Sequence, residues 1–250
     1  MSPTMQLRDK VALVTGGGRR VGRALAMALG GRGATLAVHH HESAAGARDV
    51  VGALVAAGGS ARAFGADLAL AEAPAALVRD VVAAFGRLDV LINSAAIMVR
   101  TPFGEVSAVE WDRMFALNLR APFLLSQAAA PHLKTARGAI VNIADLAAFE
   151  TWPGYIPHGI TKAGVVQMTR NLAHILAPDV RVNGIAPGAV LMPDAMSAKE
   201  ESDFTEGTPL ARTGTPADVV DAMLYLLDAE FVTGETIVVD GGRHVRGSTT

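Results

Sequence analysis

Short aliphatic and β-branched runs alternate with helical patterns along the whole chain, and this alternation most restricts what it can fold into. Lys10–Val14 reads as a strand, Thr15-Gly16-Gly17-Gly18 as a turn, and Arg19-Arg20-Val21-Gly22 opens a helical pattern that runs to Leu29. Further strands are expected at Thr35–His39, Ala61–Gly65, Leu88–Asn93, after Gly138, at Val180–Ile185 and at Thr236–Val239. Helices are expected over Ser43–Ala57, Pro74–Phe85, Val106–Leu133, the stretch carrying Lys162, and Pro216–Leu227. Such an order predicts a doubly wound α/β fold, a parallel sheet between two helical layers. The 250 residues suit one domain, 1–250, with residues 1–6 a flexible N-terminus.

Composition narrows the partners. The 24 acidic and 22 basic residues nearly cancel, which argues against a nucleic-acid or anionic-membrane surface. There is no cysteine, so disulfides and thiol chemistry are excluded. No apolar run is long enough to span a bilayer, and the start, MSPTMQLRDK, lacks the apolar core of a signal peptide. A cytoplasmic protein acting on a small molecule is the expectation. His39, His40 and His41 bring no evident further ligand, so no metal site is expected.

The glycine-rich turn reads two ways. It is a tight strand–helix connection, or it is a place where backbone N–H groups and a helix N-terminus meet a phosphate. Arg19 and Arg20 beside it favour a phosphate-bearing ligand with additional charge. The second strand ends at His39-His40, where an acid would have signalled a ribose with free hydroxyls. Asp67 is an ordinary turn former or a partner for an adenine amino group. Asn118 sits inside a helical pattern, where it costs propensity and needs a polar task, if only a bond to a backbone carbonyl. Leu191–Gly207, polar and of mixed character, is a candidate lid.

Taken in order, TGGGRRVG, the Asp67 turn, NSAA at Asn93, NLRAPF with Asn118, ITKAG with Lys162, VNGIAPG ending at Gly188, and VTGETIVVDGG resemble the short-chain dehydrogenase/reductase family. The likeness runs from about Leu7 to Arg246 and implies a Rossmann-like three-layer α/β/α domain. Arg20 in place of the usual turn glycine, with the His-rich strand end leading to Ser43, resembles the pteridine reductase and dihydromonapterin reductase branch. That resemblance implies NADP(H) as cofactor. Gly16 and Val21 would belong to the phosphate turn, Arg19, Arg20, His40 and Ser43 would lie at the 2′-phosphate end, and Asp67 and Leu68 would meet adenine. Asn93 and Ala95 would meet the ribose, Pro187 and Gly188 the nicotinamide side, and Lys162 would also bind the cofactor. Glu42 stands where that branch tends to have arginine, so the NADP preference rests on Arg19 and Arg20. A homotetramer is also implied.

The family pattern is a serine, a tyrosine thirteen residues on, and a lysine four after that. Counting back from Lys162 places His158 at the tyrosine and Asp145 at the serine. Asp145 resembles the pteridine reductases; His158 does not. With Asn118 these make the expected catalytic set. Lys162 would keep an imidazole neutral, whereas Asp145 would favour imidazolium and let His158 act as an acid. Both outcomes stay open. Met98 replaces an aromatic that would stack on a pterin, and Trp152 and Tyr155, with Asp145, are expected to line the substrate pocket. The activity implied is hydride transfer to a small C=N or C=O compound, a pterin among them. Alternatives are a catalytically impaired NADP(H)-binding sensor or scaffold, and a carbonyl reductase of a non-pterin substrate.

Overall fold

The computed structural model describes residues 7–190, 205 and 207–245. The strands are β1 (Val11–Val14), β2 (Thr35–His40), β3 (Ala61–Gly65), β4 (Val90–Asn93), β5 (Ala139–Ile143), β6 (Arg181–Pro187) and β7 (Thr236–Val239). They form one sheet in the order β3-β2-β1-β4-β5-β6-β7, and every pairing is parallel. β1, β4 and β5 are buried at every position, as expected of strands covered on both faces. This is the expected single Rossmann-like α/β domain.

Helices α1 (Arg20–Gly31), α2 (Ala44–Ala56) and α7 (Pro216–Asp228) bury Leu25, Val50 and Met223 against one face. Helices α3 (Ala73–Phe85), α5 (Ala121–Ala136) and α6 (Ile156–Leu176) cover the other with Leu77, Leu125 and Leu176. At the amino ends of the strands, buried Asp89 accepts the Val11 N–H at 2.9 Å and pairs with Lys10 and Arg87. The opposite, carboxyl end is left for the loops that carry the candidate chemistry.

The helix expected over Val106–Leu133 is two. Ser107 and Glu110 form a reciprocal capping box that starts α4 (Ala108–Phe115). A π-turn at Ala116–Arg120 separates it from α5. The extra residue in the turn rotates Asn118 into the interior. A period of 3.6 fits both flanks, so the interruption leaves little trace in the hydrophobic pattern.

Candidate active site

Strand order reverses between β1 and β4, and the crevice at their carboxyl ends is where a doubly wound sheet receives a ligand. Thr15 ties its walls together. Its hydroxyl accepts the N–H groups of Ser94 and Ala95 at 2.9 and 3.0 Å and donates to the Ile92 carbonyl. Gly16 has φ +65°, and a methyl group there would lie 3.1 Å from Ala95 Cα. A methyl on Gly22 would strike the Gly16 carbonyl. No side chain caps the N-terminus of α1, and its first turn carries no acid. The turn, the uncapped amides and the close backbone approach fit the pyrophosphate of a dinucleotide.

Arg19 and Arg20 are exposed at this terminus. Arg20 has φ +50°, the conformation a glycine adopts without strain. Gly18 lets the start of α2 approach: a methyl there would come within 2.8 Å of Ala47 N and 2.9 Å of Ser43 O. Ser43 is half-buried beside it. His40 packs its ring over Gly65, with Nδ1 3.2 Å from the His41 carbonyl. Asp67 is a turn former, its Oδ1 accepting the Ala69 N–H at 3.0 Å.

Two expected cofactor residues turn their side chains inward. Leu68 is 2% exposed and belongs to the core, leaving its backbone for a ligand. Asn93 donates to Asn142 Oδ1 at 2.8 Å and to Ser126, and Asn142 donates to Thr169. That buried chain crosses from α5 to α6 through β4 and β5, so Asn93 too offers backbone to the crevice. Pro187, buried, and Gly188 end β6 beside Asp240. The proposed lid, Leu191–Gly207, lies outside the described residues except Thr205 and Gly207.

His39 is a residue that sequence reasoning missed. Its Nδ1 accepts the Gly16 N–H at 3.1 Å, and its Nε2 donates to the Ala66 carbonyl at 3.0 Å. The ring is therefore a neutral Nε2–H tautomer that braces the glycine turn against the loop after β3. Burial holds its pKa down at about 4, against a smaller opposing effect of the Ala66 hydrogen bond. The signal available was a histidine at a strand end opposite a glycine turn, which is weak. Among the described residues, no three potential metal ligands converge.

The stretch expected to carry the catalytic set leaves β5 at Ile143 and re-enters regular structure at α6. Asp145 caps the short 3-10 turn Leu146–Ala148, its Oδ1 accepting the Ala147 N–H at 2.8 Å. His158 and Lys162 lie one turn apart on the inner face of α6, 2% and 4% exposed. Lys162 Nζ donates to the Ile143 carbonyl at 2.8 Å. Burial lowers its pKa to about 8, with the Asp145 charge opposing.

His158 Nδ1 is 3.2 Å from the Ile97 carbonyl. A carbonyl only accepts, so Nδ1 carries the hydrogen. Nε2 faces Asp145 Oδ2 at 3.6 Å, inside ion-pair range and beyond a hydrogen bond. It is buried and makes no hydrogen bond. Asn118 fixes the Ile97 segment from behind: Oδ1 accepts the Ile97 N–H at 2.9 Å and Nδ2 donates to the Ile97 carbonyl at 2.8 Å. Nδ2 also reaches Thr161 Oγ1, which donates to the His158 carbonyl at 2.7 Å. The polar task expected of Asn118 is this backbone clamp.

Around the mouth, Thr101 and Tyr155 form a parallel bridge, and the Thr101 N–H donates to the Gly154 carbonyl at 2.8 Å. Trp152 stacks edge-on with Tyr155 and donates to Glu150 at 2.8 Å. Met98, on the facing loop, is 48% exposed. The expected pocket residues thus come from two loops joined side by side.

Fold and site together define a dinucleotide-binding α/β oxidoreductase. Residues 17–244 match a family model described as enoyl-(acyl carrier protein) reductase. The chain is 35% identical over 242 residues to a 3-oxoacyl-[acyl-carrier-protein] reductase of Staphylococcus aureus, covering 94% of this chain and 98% of that one. It is 34% identical over 245 residues to a 3beta-hydroxysteroid dehydrogenase of Eggerthella lenta, covering 94% of each. A blue fluorescent protein from a metagenomic library, solved in complex with NADPH, superposes with a TM-score of 0.90 at 31% identity, covering 96% of this chain and 99% of that one. The chain belongs to the short-chain dehydrogenase/reductase family. It is a nicotinamide-dependent oxidoreductase of that family with a small-molecule substrate. No helix among the described residues is long and apolar enough to cross a membrane.

Proposed function

We propose that this protein is a cytoplasmic, NADP(H)-dependent reductase of a small C=N or C=O compound, with His158 in the place of the family's catalytic tyrosine. The observation that carries the reading is the buried, unbonded Nε2 of His158, aimed beside Asp145 within the cofactor crevice. When bound, reduced nicotinamide would supply hydride to the substrate. The N–H groups from Gly18 to Val21 would take the pyrophosphate, and Gly16, its own N–H bonded to His39, would let the backbone approach closely. Arg19, Arg20, His40 and Ser43 would surround the 2′-phosphate, where two guanidinium groups favour the added charge. The turn at Asp67 and Leu68 would meet adenine. The backbone of Asn93 and Ala95, with the Lys162 ammonium, would hold the ribose, and Pro187 and Gly188 would flank the nicotinamide.

Asn118 keeps Ile97 in place, and Ile97 keeps the His158 ring in one orientation, so Nε2 is presented to the substrate at fixed geometry. Arg20 and Asp145 are the features that favour a pterin. The acyl-carrier-protein and steroid names of two relatives place ketones in the same panel. NADPH oxidation assayed with dihydropterins, cyclic imines, 3-oxoacyl thioesters and hydroxysteroid ketones tests the reading. Turnover of at least one class is expected, lost on His158→Ala. Tight NADPH binding with no turnover across the panel would return the sensor reading.

A homotetramer is part of the proposal. Supporting it, Val109, Trp111, Phe123 and Ile160 are exposed around α4, α5 and α6, beside a groove lined by Phe115, Leu119 and Met168. Light scattering would read a mass near four times the chain mass of 25.8 kDa. A monomer would refute the assembly without touching the activity.

A further inference from the structure

We infer that Asp145 and His158 form a two-acceptor cradle that selects a substrate by its N–H, a protonated C=N group, over one presenting a C=O. The inference rests on the reductase reading above and names the substrate class of that site. Its starting point is the tautomer. Nδ1–H is committed to the Ile97 carbonyl, and Nε2 makes no hydrogen bond to the facing carboxylate, so in its neutral form the ring presents a lone pair at Nε2. Asp145 Oδ1 is committed to the Ala147 N–H, which turns Oδ2 toward the same space.

Nε2 and Oδ2 are 3.6 Å apart. That separation is too long for them to bond one another, yet an atom about 2.9 Å from both closes an ordinary triangle. An atom at that apex meets two acceptors. A carbonyl oxygen has only lone pairs to offer there, and it gains negative charge beside a carboxylate as it is reduced. An iminium nitrogen brings an N–H and a positive charge, and the carboxylate stabilises both. His158 and Asp145 therefore match the charge of the C=N ground state and penalise the charge that develops on a ketone.

The redox balance follows without a proton donor. The iminium carbon accepts hydride from the reduced nicotinamide, which leaves oxidised. The C=N π pair moves onto nitrogen as its lone pair, and the substrate's positive charge is discharged. The new C–H bond replaces the C=N π bond, and the N–H already present stays. A tyrosine-like acid is not needed in this step, which accounts for a histidine with its proton directed at a backbone carbonyl. The product amine takes a proton from solvent and, as an ammonium ion, remains a ligand for the same pair.

The test compares dihydroisoquinoline with tetralone, similar in shape and different at the reacting group, in the full-length enzyme with NADPH. Calorimetry of tetrahydroisoquinoline, an ammonium ion at neutral pH, supplies a readout independent of turnover. The imine is expected to exceed the ketone in kcat/KM by at least about tenfold. Asp145→Asn keeps an oxygen for the Ala147 N–H and removes the charge, and Asp145→Ser gives a second neutral side chain. Each is expected to lower the imine-to-ketone ratio and weaken ammonium binding by roughly tenfold or more, the range of a lost charge-assisted bond. A ketone preference in the unmodified enzyme, or a ratio and ammonium affinity unmoved by both variants, would overturn the cradle. Asp145-dependent ammonium binding without NADPH oxidation on any substrate would support the cradle and remove the reductase reading.

Discussion

The Gly16 amide donates to His39 Nδ1 at 3.1 Å, so the first turn of the dinucleotide crevice is braced by a neutral imidazole. Protonation would place a second donor against that amide. Because burial lowers the folded-state pKa to about 4, the unfolded chain binds more protons than the folded one between pH 4 and 6.5. The contribution is complete above 6.5 and is lost as pH falls toward 4. Denaturant unfolding at pH 7 and pH 5 should show the wild type losing about 2 kcal/mol more than His39→Gln. Parallel losses would mean the brace does not titrate this way.

Arg20 holds φ +50° at the start of α1. A side chain in that conformation costs about 1 kcal/mol, and the guanidinium it carries is the proposed return. Arg20→Gly is expected to raise stability by roughly 1 kcal/mol while lowering the preference for NADPH over NADH by about tenfold. Unfolding midpoints and cofactor titrations read the two effects separately. A stability gain with unchanged preference would remove Arg20 from the 2′-phosphate site.

Much of this architecture is legible in the sequence because burial on both faces makes the inner strands β1, β4 and β5 short apolar runs. Lys10–Val14 is read that way and holds β1, whereas the half-buried edge strand Thr236–Val239 is read from its aliphatic and β-branched residues. The candidate site is legible where a residue is out of place for its local structure, as Asn118 is within a helical pattern. What escapes is direction. Nothing local says that Leu68 and Asn93 point into the core, because a strand end and the turn beyond it face crevice and core within one residue of each other. The π-turn escapes because one extra residue barely disturbs hydrophobic spacing. His39 escapes because its partner amide is 23 residues away.

Lys162 is a buried ammonium with one carbonyl partner, and its pKa is pulled down to about 8 by burial. The sign is set by the charged form being disfavoured in the fold. Below pH 8 both states carry the proton and the cost is fully present; between pH 8 and 10.5 the unfolded chain binds more protons, and stability rises with pH. Lys162→Met removes that slope. The stability of the variant relative to wild type should decline by up to about 3 kcal/mol as pH goes from 7 to 10.5, alongside weaker cofactor binding at pH 7. A pH-independent difference would show that the ammonium is not desolvated in solution.

Asn118 acts on the proposed site through the Ile97 segment. Its amide bonds both polar atoms of Ile97, and the Ile97 carbonyl fixes the His158 tautomer. Asn118→Ala leaves the Ile97 N–H without its partner and frees the loop, at a cost of about 2 kcal/mol. Asn118→Asp is the sharper variant. It keeps the acceptor for the Ile97 N–H and turns the donor facing the Ile97 carbonyl into a second acceptor, which pushes that carbonyl away from His158. A merely structural asparagine predicts losses that follow stability in both variants. A positioning asparagine predicts that kcat falls at least about tenfold in Asn118→Asp with NADPH affinity and folded fraction little changed. Activity that tracks the folded fraction in both variants would reduce Asn118 to scaffolding.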